Sequence, residues 1–417
     1  MVETSLSLDE KFSYNNRINI INGVLASVAL KLVNPYYAKF AERLGANEYH
    51  IAYLTSLPYL ISIFAFIPGA ILIESVNNKQ KTIGTTMLLH KIFFLLIAFI
   101  PFLNVNQASL FVLMIGLMNL PGSIANMGYQ ASVGEIFGPH ERGKTMGLRN
   151  KYSSIIGIAL TIISGKLLTS VPKSNEDSIK LYQIFFIITF LVSIVEVYYF
   201  FKFKGFVVQN KEKPRYLDSL KQVLKEIPKN NKFLLFTFAS LFFHVGWIGA
   251  QPLFNIYTVK ILEANESWLS AISIASGLSS IISYTRWAGF AEKKGNSFAL
   301  SLAIIGMGIT PLLYALSKQI FMLVLFNIII GVSVAGTTLL LFNILLDIIP
   351  SENRSIYIAI YNTLIAIISS ISPILGVKLM NMTNITIALV AVAVIRLTSS
   401  IFFYRISGRK IGHFKTQ

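Results

Sequence analysis

No cysteine occurs in these 417 residues, so disulfides, thiolate nucleophiles and cysteine-ligated metals are excluded at the outset. Acids are scarce as well, 19 against 36 Lys and Arg. There is no His-Glu-x-x-His run, no phosphate-binding Gly loop and no pair of carboxylates within an apolar run, so no catalytic residue, metal site or cofactor is nominated and an enzyme is not expected. Charge of either sign is thin, 13% of residues against 54% hydrophobic, and the mean hydropathy is +0.63. Water is not the main solvent of such a chain. No cleavable secretory signal is expected in this stretch, because Met1 to Asn15 is polar and carries Glu3, Asp9 and Glu10.

What the chain has is long apolar runs. A bilayer core about 30 Å thick needs roughly 20 apolar residues per helix, and such runs are read at 18–41, 47–73, 82–102, 107–133, 148–171 and 180–202, then at 232–261, 268–290, 297–317, 319–346, 356–381 and 384–405. The expected fold is therefore an all-α integral membrane protein of about twelve helices. The formal charge of +17 would point a soluble chain to nucleic acid, but here its placement decides. Of the 36 Lys and Arg, 24 fall in alternate loops and the two tails and five in the opposite loops, which orients the chain in a cytoplasmic membrane with both termini inside. Segments 135–151 and 202–232 are then cytoplasmic. The partners expected are the bilayer and a small-molecule substrate, with a coupling proton or ion as a further candidate, and not nucleic acid; the chain is read as a monomer.

Three regions follow: a six-helix half over 1–202, a linker over 203–231 and a second six-helix half over 232–417. Within the linker, Tyr216, Leu217, Leu220, Val223, Leu224 and Ile227 recur at helical spacing opposite Lys221, Lys225 and Glu226, the pattern of a short amphipathic helix that tethers the halves and rests on lipid headgroups. The halves repeat one another. Ala70-Ile71-Leu72-Ile73-Glu74-Ser75-Val76-Asn77-Asn78 is in step with Ala288-Gly289-Phe290-Ala291-Glu292-Lys293-Lys294-Gly295-Asn296, and Pro139-His140-Glu141-Arg142 with Pro350-Ser351-Glu352-Asn353-Arg354.

These loops resemble those of the major facilitator superfamily, whose signature between spans two and three is a small residue, an acid, a base and then Gly. The second copy is the closer, with Ala288, Glu292, Lys293 and Gly295; the first keeps Ala70 and Glu74. The resemblance implies two six-helix bundles, alternating-access transport, and a cavity lined by spans one, two, four, five, seven, eight, ten and eleven, with three, six, nine and twelve peripheral. It also implies a latch in which Glu74 and Glu292 meet bases such as Arg142 and Arg354. The fifth span lacks the Gly-Pro pair and the fourth the Arg of the family's drug and proton antiporters. Proton-coupled drug efflux is kept as an alternative, as is a non-transporting sensor or membrane enzyme of the same fold.

Candidate contacts come from polar stripes at helical spacing. Gly23, Ser27, Lys31 and Asn34 lie along the first span, and an ionisable group in mid-membrane is a functional candidate by default. Asn119, Ser123, Asn126 and Gln130 mark the fourth, and His244, Trp247, Gln251 and Asn255 the seventh. Each stripe lines a substrate cavity or serves helix-to-helix hydrogen bonding. Lys91 is read as snorkelling, Glu196 and Arg396 as peripheral. A cavity without a carboxylate is expected, which favours an anionic or neutral organic solute.

Overall fold

Apolar runs of this length satisfy their backbone in a bilayer by hydrogen-bonding within each run as helix. The computed structural model describes residues 8–137, 139–206, 216–350 and 354–408, and among these it contains fifteen α-helices and no strand. Eleven stretches are long and apolar enough to cross a membrane. The place of the twelfth is taken by a helix over Glu266–Lys294, whose 29 residues suffice in length but include seven serines.

The chain divides into two compact units, one of residues 1–46 and 61–214, the other of 47–60 and 215–417. In the first, α1 (Leu8–Val33) and α2 (Tyr37–Arg43) make one span, broken by the turn Asn34–Tyr36, where Pro35 cannot donate to the helical ladder. Then come α3 (Glu48–Ser75), α4 (Lys79–Phe99), α5 (Gln107–Leu117), α6 (Asn119–Ile136), α7 (Pro139–Ser170) and α8 (Asn175–Phe201). α1 packs on α7 and α8, and α4 on α6 and α8. The approach is close at small residues: Phe201 fills the space beside Gly84, and the stem of Arg149 lies against Gly23. Asn15 fastens the end of the bundle, exchanging hydrogen bonds with the backbone of Lys204 at 2.8 and 3.0 Å. The segment 135–151, expected as a loop, is largely the start of α7.

The second unit holds α9 (Tyr216–Glu226), α10 (Asn231–Ile256), α11 (Glu266–Lys294), α12 (Asn296–Leu316), α13 (Ile320–Ile348), α14 (Arg354–Met382) and α15 (Ile385–Gly408). α10 packs on α14 and α15, α11 on α13, and α12 on α13 and α15. The serines of α11 explain its polarity. Ser280 Oγ donates to the Gly331 carbonyl at 2.8 Å, and Gly331 sits so close to Ser276 that no side chain would fit there. Residues 47–60, which include the first part of α3, belong to this unit, with Ile51 and Ala52 buried beside Ala250 and Leu253 and Lys260 Nζ donating to Glu48 Oε1 at 2.7 Å. The helix expected in the linker is α9. Its Val223 is fully buried in the unit's apolar core with Phe233 and Tyr357, so that residue packs on protein rather than on headgroups, while Leu224 stays exposed.

Candidate functional site

The first unit encloses a cavity of about 370 Å³ between α1, α4, α6, α7 and α8. Pro121, near the start of α6, removes a backbone donor close to the junction with α5. At that junction the Met118 carbonyl takes Gly122 N at 3.1 Å and faces His90 Nδ1 at 2.8 Å. Gly122 leaves room for the imidazole, which a Cβ there would strike.

Two charges meet beside it. Lys91 Nζ of α4 stands 2.9 Å from Glu196 Oε2 of α8, both side chains buried. The two atoms are close without the alignment of a hydrogen bond, so Oε2 has no well-directed donor. Either group alone would carry a desolvation cost of several kcal/mol, which the pair offsets. Lys91 therefore does not snorkel, and Glu196 is not peripheral. Glu196 also lines the cavity, contrary to the expectation of a carboxylate-free wall.

Arg149 of α7 supplies the third charge. Its Nη1 donates to the Asn19 carbonyl and to Asn22 Oδ1, each at 2.9 Å, and the guanidinium lies 4.7 Å from the centre of the Tyr129 ring. Tyr129 OH donates to Asn19 Oδ1 at 2.6 Å, and Asn22 Nδ2 to the Glu196 carbonyl at 3.0 Å. A continuous network thus ties α1, α6, α7 and α8 around the cavity, and within it Arg149 has no carboxylate partner among the described residues.

Of the fourth-span stripe, Asn119, Ser123 and Asn126 line this cavity and Gln130 does not. Asn119 Nδ2 donates to the Ile115 carbonyl at 2.7 Å and Ser123 pairs with Ser62 at 2.9 Å. Asn126 is exposed, with no hydrogen bond among the described residues. The first-span stripe divides. Gly23 and Ser27 serve contact with α7, Ser27 Oγ donating to the Ser153 carbonyl at 2.7 Å, while Lys31 and Asn34 are exposed and outside the cavity lining.

In the second unit His244 is buried, its Nδ1 2.7 Å from the Ser240 carbonyl and its ring in mutual contact with those of Phe243 and Trp247. Trp247 and Gln251 are half-buried and Asn255 is exposed. Arg396, read as peripheral, is the largest fully buried side chain. It donates to the carbonyls of Gly246 at 3.0 Å, Trp247 at 3.1 Å and Met307 at 2.6 Å, and to Thr310 Oγ1 at 3.0 Å.

The side chains of Glu74 and Arg142 lie outside the described residues. Glu292, Lys293 and Arg354 are exposed, and Glu292 forms no ion pair among the described residues. The contact made beside the second motif is Asn296 Nδ2 to Asp347 Oδ2 at 2.9 Å. Gly295 has φ +88, a conformation that side chains disfavour, so it shapes the turn into α12.

Sequence reasoning missed Asn19, Asn22, His90, Tyr129 and Arg149, and it misplaced Lys91 and Glu196, reading the one as snorkelling and the other as peripheral. A signal was available for some: Asn15, Asn19 and Asn22 recur at steps of four and three, the spacing of one helical face.

The sequence profile of the Major Facilitator Superfamily matches residues 20–373. The chain belongs to the Major Facilitator Superfamily. No curated protein matches it. Solved structures share the superfamily fold at low identity. The nucleoside transporter NupG, in a point-mutant form, gives a TM-score of 0.73 at 12% identity over 93% of this chain and 99% of that one. A bacterial homologue of the human lysosomal transporter Spinster gives 0.68 at 10%, over 96% and 98%. The E. coli fucose:proton symporter FucP, also a point mutant, gives 0.63 at 11%, over 95% and 99%. The first unit's cavity draws on α4 and α8, its third and sixth spans, which the resemblance placed at the periphery.

Proposed function

We propose that this superfamily transporter carries a small organic solute, anionic or neutral, across the cytoplasmic membrane by alternating access of two halves, with both termini in the cytoplasm. The observation that carries the reading is the charge balance of the first unit's cavity. Lys91 and Glu196 cancel, leaving Arg149 as the unbalanced charge, so the space disfavours cations and suits an anion or a neutral solute rich in acceptors. Asn119 and Asn126 add amides that can both donate and accept. A cavity of about 370 Å³ is within the range of small-molecule sites, and the solutes named for two of the similar structures, a nucleoside and fucose, are small and polar.

Transport by the purified protein in liposomes tests this, against organic anions, sugars, nucleosides and lipophilic cations, with and without a proton gradient. Preferred movement of cations refutes the charge argument. No movement of any class turns the reading toward a sensor. Proton-coupled drug export is the second reading, favoured by Glu196, a buried carboxylate at the cavity wall. Accumulation that needs the proton gradient, together with movement of lipophilic solutes, would select it.

A further inference from the structure

The same pair of spans closes differently in the two units. Where α4 meets the end of α8, Gln80 Nε2 donates to the carbonyls of Phe200, Phe201 and Phe203 at 3.0 to 3.3 Å, and the Phe201 ring fills the space beside Gly84. At the corresponding end of α12 and α15 the small residues Ser301 and Ser400 line the space between the helices. Both are buried, and each hydroxyl bonds back to its own helix, to the carbonyls of Phe298 and Leu397 at 2.7 Å. What remains is an open, almost wholly apolar groove of about 320 Å³, with Phe298, Leu302, Ile401 and Tyr404 on its sides.

The charge beside it is of one main sign. Lys293 and Lys294 end α11, one short turn before Phe298, and Arg405 follows Tyr404 in the last turn of α15. All three are exposed and none has an ion pair among the described residues. Two acids lie in the same region, Glu292, which is exposed, and Asp347, which accepts from Asn296.

We propose that this groove is a binding site for an anionic phospholipid, one acyl chain lying along Leu302 and Ile401 and the phosphate held by Lys293, Lys294 and Arg405. An ordinary annular lipid would need only the apolar walls; the cations at one end supply the preference for a negative headgroup. Each Lys or Arg near an anionic lipid surface contributes about fivefold in binding.

The test places a tryptophan in the groove of the full-length protein, Leu302→Trp, and reads its quenching by brominated phosphatidylglycerol or brominated phosphatidylcholine in mixed vesicles, after subtracting the signal of the three native tryptophans measured in the parent. A second variant, Leu89→Trp, puts the probe on the exposed face of α4 as reference. The expected result is preferential quenching by phosphatidylglycerol at position 302 and no such preference at 89. Adding Lys294→Gln and Arg405→Gln should lower that preference by more than tenfold. Equal quenching by the two lipids at 302, a preference that survives the loss of both cations, or the same preference at 89 overturns the proposal. Transport activity is not the readout, so failure here leaves the cavity reading of the first unit untouched.

Discussion

Both units bury charge where their third and sixth spans meet, but they leave it in different states. In the first, Lys91 and Glu196 face a cavity and Glu196 Oε2 lacks an aligned donor. In the second, Arg396 comes from the corresponding last helix, and three carbonyls and a hydroxyl take its hydrogen bonds. Burial is the same; spare capacity is not. A charge whose hydrogen bonds are filled by its own fold stabilises that fold, whereas one left incomplete beside open space can respond to a ligand.

The strongest way to break this comparison is at Arg149. Arg149→Gln should lower uptake of the solute identified in the liposome panel by about thirtyfold or more, since truncating a hydrogen-bonded, desolvated charge costs about 2–5 kcal/mol. Arg149→Lys keeps the charge and loses the fork, so an intermediate rate is expected. Equal rates for both variants and the parent would remove Arg149 from the site.

The ion pair comes next. Lys91→Gln alone strands Glu196 and should destabilise the first unit by about 3–5 kcal/mol, seen as a lower melting temperature in detergent. The double variant Lys91→Met, Glu196→Leu should regain most of that stability while transport stays impaired. Recovery of both would make the pair structural, like Arg396. At Arg396 the expected pattern is reversed: Arg396→Met should cost on the order of 3 kcal/mol in stability, and the folded fraction should still transport at the parent rate.

The sequence carried the architecture because spans are long and the periodic signal is strong: eleven expected spans reappear as apolar helices, most within a few residues. The remaining one, 268–290, became α11, where serines used for close packing against α13 dilute the hydropathy. The site was legible only in part. Asn119, Ser123 and Asn126 were found because a polar stripe on one helix is visible in one dimension. Arg149 falls within 135–151, the segment read as cytoplasmic, because the positive-inside rule counts charges near span ends without asking which way a side chain turns. Lys91 and Glu196 are 105 positions apart, and nothing local in either run marks the other as its partner.

The smallest expected effect concerns the two copies of the loop motif. Gly295 occupies φ +88 between α11 and α12, so Gly295→Ala should cost on the order of 1–2 kcal/mol through backbone strain alone. In the first copy the matching residue is Asn77, which is not among the described residues of positive φ. There the next helix begins differently, with Asn78 Oδ1 accepting from the Lys81 amide at 2.9 Å as an N-cap. Asn77→Gly should accordingly change the melting temperature little, whereas Asn78→Ala should cost about 1 kcal/mol. If Asn77→Gly and Gly295→Ala instead shift transport alike with no loss of stability, the two loops act as matched gating elements, and the difference in their backbones is incidental.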